Sequence, residues 1–200
     1  MSTSKGHARG RADDRPDTRG MFVTSLLLAL LALPARAELT FSPPHLVESG
    51  NNPHALVLAD LNADGRPDLA VANFGSNTVS VWMGKGAGTF ADRNDYGTGD
   101  APNSIAVADL NGDGHTDLVV TNAGSNTISV LLGNGAGAFG SRTDFETGIN
   151  PISVLSADLN GDGRADLLVD NLGSNSVSVL LGNGDGTFGA RTDFGAGNTP

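Results

Sequence analysis

Beyond residue 50 the chain alternates short runs of Val, Leu, Ile and Ala with short runs of Gly, Asn, Asp and Ser, and no segment sustains an apolar period of 3.6 residues. That pattern predicts short strands joined by tight turns. In the stretch around residue 120 it predicts four of them. Ser104–Ala108 forms a first apolar run and Leu118–Thr121 a second. Thr127–Leu132 then alternates, with Ile128, Val130 and Leu132 on one side and Thr127, Ser129 and Leu131 on the other. A turn at Gly133-Asn134-Gly135-Ala136-Gly137 leads into a fourth strand from about Phe139 to Phe145. Asn134-Gly135 predicts a type I′ hairpin turn, in which both central residues take positive φ.

The whole pattern recurs every 49 residues. Phe41, Phe90, Phe139 and Phe188 keep that interval, as do Pro53, Pro102, Pro151 and Pro200. Asn73-Phe-Gly75-Ser76-Asn77 returns as Asn122-Ala-Gly124-Ser125-Asn126 and Asn171-Leu-Gly173-Ser174-Asn175. Four antiparallel strands per repeat of about 40–50 residues describe a β-propeller blade. A parallel β-helix has a much shorter repeat, and a Greek-key sandwich does not repeat its sequence at constant spacing. The fold class is therefore all-β: β-propeller blades, each a four-stranded antiparallel sheet, at about 53–100, 102–149 and 151–198. Residues 41–49 match the fourth strand of a preceding blade, and Pro200 the start of a following one. Rings close with about four to eight blades, so three form an incomplete propeller. Blades missing from these 200 residues, or self-association, would complete it.

Each repeat carries one loop of the form D-x-N-x-D-G-x-x-D. The side-chain oxygens sit at Asp60, Asn62, Asp64 and Asp68, at Asp109, Asn111, Asp113 and Asp117, and at Asp158, Asn160, Asp162 and Asp166. Position 7 is Arg66, His115 or Arg164, which would contribute its backbone carbonyl while its side chain points outward. Several oxygens converging at about 2.3–2.6 Å are what a hard cation such as Ca²⁺ requires. Three carboxylates in one short loop repel one another, and a bound cation removes that penalty. A merely polar Asx-rich turn is the alternative, but it does not require the ninth-position Asp in all three copies. An EF-hand is excluded, because position 12 is Val71, Val120 or Val169 rather than Glu and the flanking segments read as strands. One Ca²⁺ per repeat, three in all, is expected.

Charge and composition narrow the function. The net charge is −10, and residues 1–37 carry six basic against three acidic side chains, a net of +3 that leaves −13 on the remainder. No basic patch offers itself to nucleic acid. Cysteine is absent, so metal rather than disulfide is the available staple. Residues 22–33 form a short apolar run followed by Ala35-x-Ala37, which reads as a signal peptide over 21–37 cleaved before Glu38. It is shorter than the roughly 20 residues of a membrane span, so no span is expected after cleavage. Residues 1–20 read as a disordered basic leader or a long n-region, with Met1 and Met21 both open as starts. The glycine-rich turns precede strands, whereas a phosphate cradle opens a helix. His45, His54 and His115 share no ligand spacing, and Glu38, Glu48 and Glu146 suggest no acid–base pair. The chain is read as non-catalytic. Trp82 stands where the other repeats have Leu131 and Leu180, and is expected to pack.

The Asp loop with its following Leu, the Asn-x-Gly-Ser-Asn segment and Leu-Gly-Asn-Gly-x-Gly-x-Phe together resemble the FG-GAP repeats of the integrin α-subunit propeller, and more closely bacterial FG-GAP-like or VCBS repeats. The resemblance covers about residues 41–200, with Ala63 and Lys85 as departures in the first copy. It implies a calcium-bound propeller in secreted or cell-surface proteins, associated with adhesion or recognition of a protein or glycan. A non-catalytic part of a secreted polysaccharide-degrading enzyme and a structural spacer are the alternatives.

Overall fold

A computed structural model describes residues 46–197. Residues 21–37, expected to be a signal peptide, residues 1–20, expected to be a leader, and Phe41, His45 and Pro200 lie outside the described residues. Three four-stranded antiparallel sheets carry the fold, with a two-stranded ladder beside the first. The first sheet comprises β1 (Pro53–Ala59), β2 (Asp68–Asn73), β3 (Thr78–Trp82) and β6 (Asn94–Gly97); β4 (Gly84–Gly86) and β5 (Thr89–Phe90) form the ladder. The second contains β7 (Pro102–Ala108), β8 (Asp117–Asn122), β9 (Thr127–Leu131) and β10 (Thr143–Glu146). The third contains β11 (Pro151–Ala157), β12 (Asp166–Asn171), β13 (Ser176–Leu180) and β14 (Thr192–Gly195). Each sheet keeps its strands in sequence order, which is a propeller blade.

Prolines open β1, β7 and β11, where a missing N–H is tolerated at the first strand residue. A β-bulge follows each proline, between Pro53 and Ala55, Pro102 and Ser104, and Pro151 and Ser153. The bulged residues meet across blades: His54 Nδ1 lies 2.8 Å from Asn103 Oδ1, and Asn103 Nδ2 donates to the Ile152 carbonyl at 3.5 Å.

Period-two alternation sends one apolar row of each blade toward the next blade and the other toward the preceding one. Ala70, Ala72, Val79 and Val81 of the first blade pack on Leu118, Val120 and Leu131 of the second. Val119, Ile128 and Val130 of the second pack on Leu167, Val169 and Leu180 of the third. Aromatic pairs close the outer edge of both junctions, Tyr96 edge-on to Phe139 at 5.3 Å and Phe145 edge-on to Phe188 at 5.1 Å. Trp82 is buried, as expected for a packing residue.

Three details differ from the sequence expectation. The fourth strand of the second blade begins at Thr143 rather than near Phe139. Phe139 instead makes an isolated bridge to Gly133, and its ring is claimed by Tyr96. The 133–137 turn is not type I′: Gly135 and Gly137 have positive φ, while the Asn134 side chain accepts the Ala136 and Ala138 N–H groups. Residues 46–49 form no strand, although they enter the first blade where 95–98 enter the second. The Gly50 and Asn51 N–H groups bond to Asn73 Oδ1 and Ser76 Oγ, as Asp100 N–H bonds to Ser125 Oγ.

Candidate metal centre

Each Asp loop joins the first and second strands of its blade and is shaped by its own side chains. In the second blade, Asp109 Oδ2 accepts Gly114 N–H at 2.9 Å, Asn111 Oδ1 accepts Asp113 N–H at 3.1 Å, and Asp113 Oδ1 accepts His115 N–H at 2.8 Å. The same bonds recur at Asp60, Asn62 and Asp64 and at Asp158, Asn160 and Asp162. Gly114 takes φ 80°, which permits the reversal that wraps the chain around these oxygens. In the first blade, Ala63 replaces glycine at φ 57°. A non-glycine residue in that region is disfavoured by roughly 1–2 kcal/mol.

The ninth residue is held differently. Asp68, Asp117 and Asp166 are wholly buried. Asp117 accepts Leu110 N–H at 2.9 Å on one oxygen and Gly133 N–H at 2.7 Å on the other. Asp68 and Asp166 repeat the arrangement with Leu61 and Gly84 and with Leu159 and Gly182. The residue thus ties the loop to the turn after the third strand. Gly133 must be glycine, because a Cβ there would stand 2.2 Å from the Thr116 carbonyl oxygen.

Electrostatics follow from this geometry. Burial pushes the Asp117 carboxyl up, the two N–H bonds oppose that, and Asp113 and Asp109 push it up further. Three of the exposed loop carboxylates shift downward: Asp60 through Gly65 N–H, Asp113 through His115 N–H and the Asn111 amide, and Asp162 through the Asn160 amide and Arg164 N–H. The position-7 side chain is not simply turned outward. The Arg66 guanidinium reaches Asp64 Oδ2 at 2.5 Å and the Gly84 carbonyl at 2.9 Å, and Arg164 stands 4.0 Å from Asp162.

Among the described residues, no three carboxylate or imidazole side chains converge as a finished cage. Carboxylates 1, 5 and 9 repel, and each is drawn to N–H groups. The donor set is nevertheless all oxygen, and a guanidinium already sits on one of its carboxylates as a stand-in cation. The chemistry fits a hard cation.

Sequence reasoning noted the Asn-x-Gly-Ser-Asn segment without assigning it a role. The structure shows a latch between blades. Asn73, Asn122 and Asn171 are buried and donate to Ser80, Ser129 and Ser178. Ser76, Ser125 and Ser174 accept an N–H of the incoming linker. Asn77 and Asn126 take positive φ and accept the N–H groups of Ala101 and Asn150 in the outgoing one. The recurrence of the motif beside each linker was the available signal.

The FG-GAP-like repeat family matches residues 60–120 and 109–169, two overlapping registers one repeat apart. The chain belongs to the FG-GAP-like repeat family. No curated protein matches it. Among solved structures, a functionally unknown protein from Desulfotomaculum acetoxidans is similar at 16% identity with a TM-score of 0.58, over 73% of this chain and 43% of that one. At this identity the likeness is one of fold. An Agrocybe aegerita lectin, described as recognising non-reducing terminal N-acetylglucosamine, aligns at 27% identity with a TM-score of 0.49, over 69% of this chain and 37% of that one. The FG-GAP-like chain thus spans less than half the length of either structure. Among its described residues no helix is long and apolar enough to cross a membrane.

Proposed function

We propose that this FG-GAP-like chain is a secreted or cell-surface, calcium-binding, non-catalytic module for adhesion or recognition of a protein or glycan, in which the metal is mainly structural. The observation that carries the proposal is the all-oxygen loop present in triplicate, with a wholly buried ninth carboxylate in each copy; at Asp117 burial, and then repulsion from Asp113 and Asp109, push the carboxyl up. A divalent cation would relieve that repulsion. Asp60, Asn62, Asp64 and Asp68 with the Arg66 carbonyl would hold one ion. Asp109, Asn111, Asp113 and Asp117 with the His115 carbonyl, and Asp158, Asn160, Asp162 and Asp166 with the Arg164 carbonyl, would hold two more. The bound ion would supply charge neutralisation and fix the loop between first and second strands. Recognition would then reside in loops held on this scaffold.

Isothermal titration with CaCl₂ tests the metal reading. Three sites are expected, in the range of about 10⁻⁴–10⁻³ M typical of extracellular modules. Absence of saturable heat through millimolar calcium would refute it. A glycan and matrix-protein array run in calcium and in EDTA tests recognition. Calcium-dependent retention of a defined ligand class is expected, and an array blank in both buffers favours a spacer.

A further inference from the structure

Four Asn-Gly pairs occur in the chain, beginning at Asn111, Asn134, Asn160 and Asn183. Asn111 and Asn160 lie in the Asp loops, whereas Asn134 and Asn183 lie in the turns after the third strands. Such a pair can rearrange without a catalyst, because glycine has no Cβ to keep its nitrogen away from the asparagine Cγ. Whether it does so depends on two things: how freely the glycine nitrogen can attack, and how strongly the side-chain amide is polarised.

In the loops the nitrogen is held. Gly112 and Gly161 N–H donate to Asp109 Oδ1 and Asp158 Oδ1, both at 2.8 Å. A carboxylate there also opposes the negative charge that an attacking amide nitrogen must carry. In the turns, among the described residues, neither the Gly135 nor the Gly184 N–H donates to a protein atom. The two turns differ at the amide. Asn134 Oδ1 accepts Ala136 N–H at 2.9 Å and Ala138 N–H at 3.2 Å. Two donors on that oxygen polarise Cγ and stabilise the oxyanion of a tetrahedral intermediate. In the third blade Asp185 stands in the place of Ala136, and its Oδ1 takes the Thr187 N–H at 3.0 Å. Asn183 loses that donor, and its own Nδ2 is held by Thr187 Oγ1 at 2.9 Å.

We propose that Asn134-Gly135 is a self-modifying site, which deamidates through a cyclic imide to aspartate and isoaspartate. The Gly135 nitrogen bonds to Asn134 Cγ, the Cγ–Nδ2 bond breaks, and the Gly135 proton leaves with Nδ2 as ammonia. Water then opens the imide. Addition at the former side-chain carbonyl gives aspartate, and addition at the main-chain carbonyl gives isoaspartate, with one more methylene in the backbone. Asn134 is exposed, so water reaches it. The change does not stay local. The preceding Gly133 donates its N–H to Asp117 at 2.7 Å, and the His115 ring lies against Gly135, where a Cβ would meet Nδ1 and Cε1 at 2.4 Å. Isoaspartate at 134 therefore disturbs the Asp117 clamp and the loop of the second blade. The first blade carries Lys85 at this position and forms no such product.

Peptide mapping by mass spectrometry tests the proposal on the full chain, aged at mildly alkaline pH both folded and in denaturant. In the folded chain Asn134 should convert about tenfold faster than Asn111 and Asn160, and ahead of Asn183. In denaturant the four rates should draw together. Asp185→Ala frees the Thr187 N–H and should speed conversion of Asn183. Electron-transfer fragmentation should find isoaspartate beside aspartate at 134. The aged chain should melt below Asn134→Asp, which carries the charge without the extra methylene. Asn134 converting no faster than Asn111 and Asn160 in the folded chain overturns the proposal. So does the same order of rates surviving undiminished in denaturant.

Discussion

Two sets of carboxylates share each Asp loop, and the fold treats them in opposite ways. Asp117 is buried with each oxygen on a backbone N–H of a different segment, while Asp109 and Asp113 are at the surface and bond only within the loop. Burial and its neighbours push Asp117 up, whereas His115 N–H and the Asn111 amide hold Asp113 down. One set belongs to the scaffold and would be needed with or without metal. The other bonds only within its own loop, and its worth to the fold would depend on the proposed ligand.

Removing the buried member should have the largest effect. Asp117→Ala strands the Leu110 and Gly133 N–H groups, at about 1–3 kcal/mol each. A loss of several kcal/mol by denaturant unfolding is expected in EDTA and in calcium alike. Asp113→Ala should behave otherwise. Its metal-free stability should change little, while calcium at about ten times Kd should stabilise it by about 1.4 kcal/mol less than the parent, one site's share. If Asp117→Ala costs no more than Asp113→Ala in EDTA, the division between the sets is wrong.

The legibility of these parts differed for physical reasons. Strand order and blade boundaries could be read because period-two alternation and a constant interval report backbone geometry directly. The proposal of Asp60 to Asp68 as a ligand set rests on oxygen type and spacing, which are written in the sequence. The clamp at Asp117 could not, since Gly133 is 16 residues away and meets it only through the sheet. The late start of β10 was hidden as well: Phe139 looks like a strand residue but bridges back to Gly133 across the turn, as Phe90 does to Gly84 and Phe188 to Gly182. The Asn-Ser-Asn latch was visible as repetition but had no meaning until the linkers were placed beside it.

Loops one and two sharpen the contrast further. Arg66 lies on Asp64, whereas the second loop has His115 in that position and the third a looser Arg164 pair. Arg66→Met removes a cation that competes with the metal. An exposed pair of this kind is worth about 0.2–1 kcal/mol, so the calcium affinity of loop one should rise by up to about fivefold in titration. A fall in affinity would show that Arg66 orders the loop rather than competing in it. The smallest effect expected is one of pH. An upward-shifted Asp117 contributes stability that is complete below its ordinary value of 3.8 and is lost as pH rises through the folded value. Calcium, which needs the ionised group, should therefore stabilise the protein more at pH 7 than at pH 4, by thermal unfolding at the two pH values.

Thermal unfolding of the FG-GAP-like chain in EDTA and then in millimolar calcium addresses the central claim most directly. Metal held by three loops should raise the melting temperature with calcium concentration, reversibly on chelation, and Asp113→Ala should lose part of that rise. Superimposable melting curves in EDTA and calcium would contradict the account.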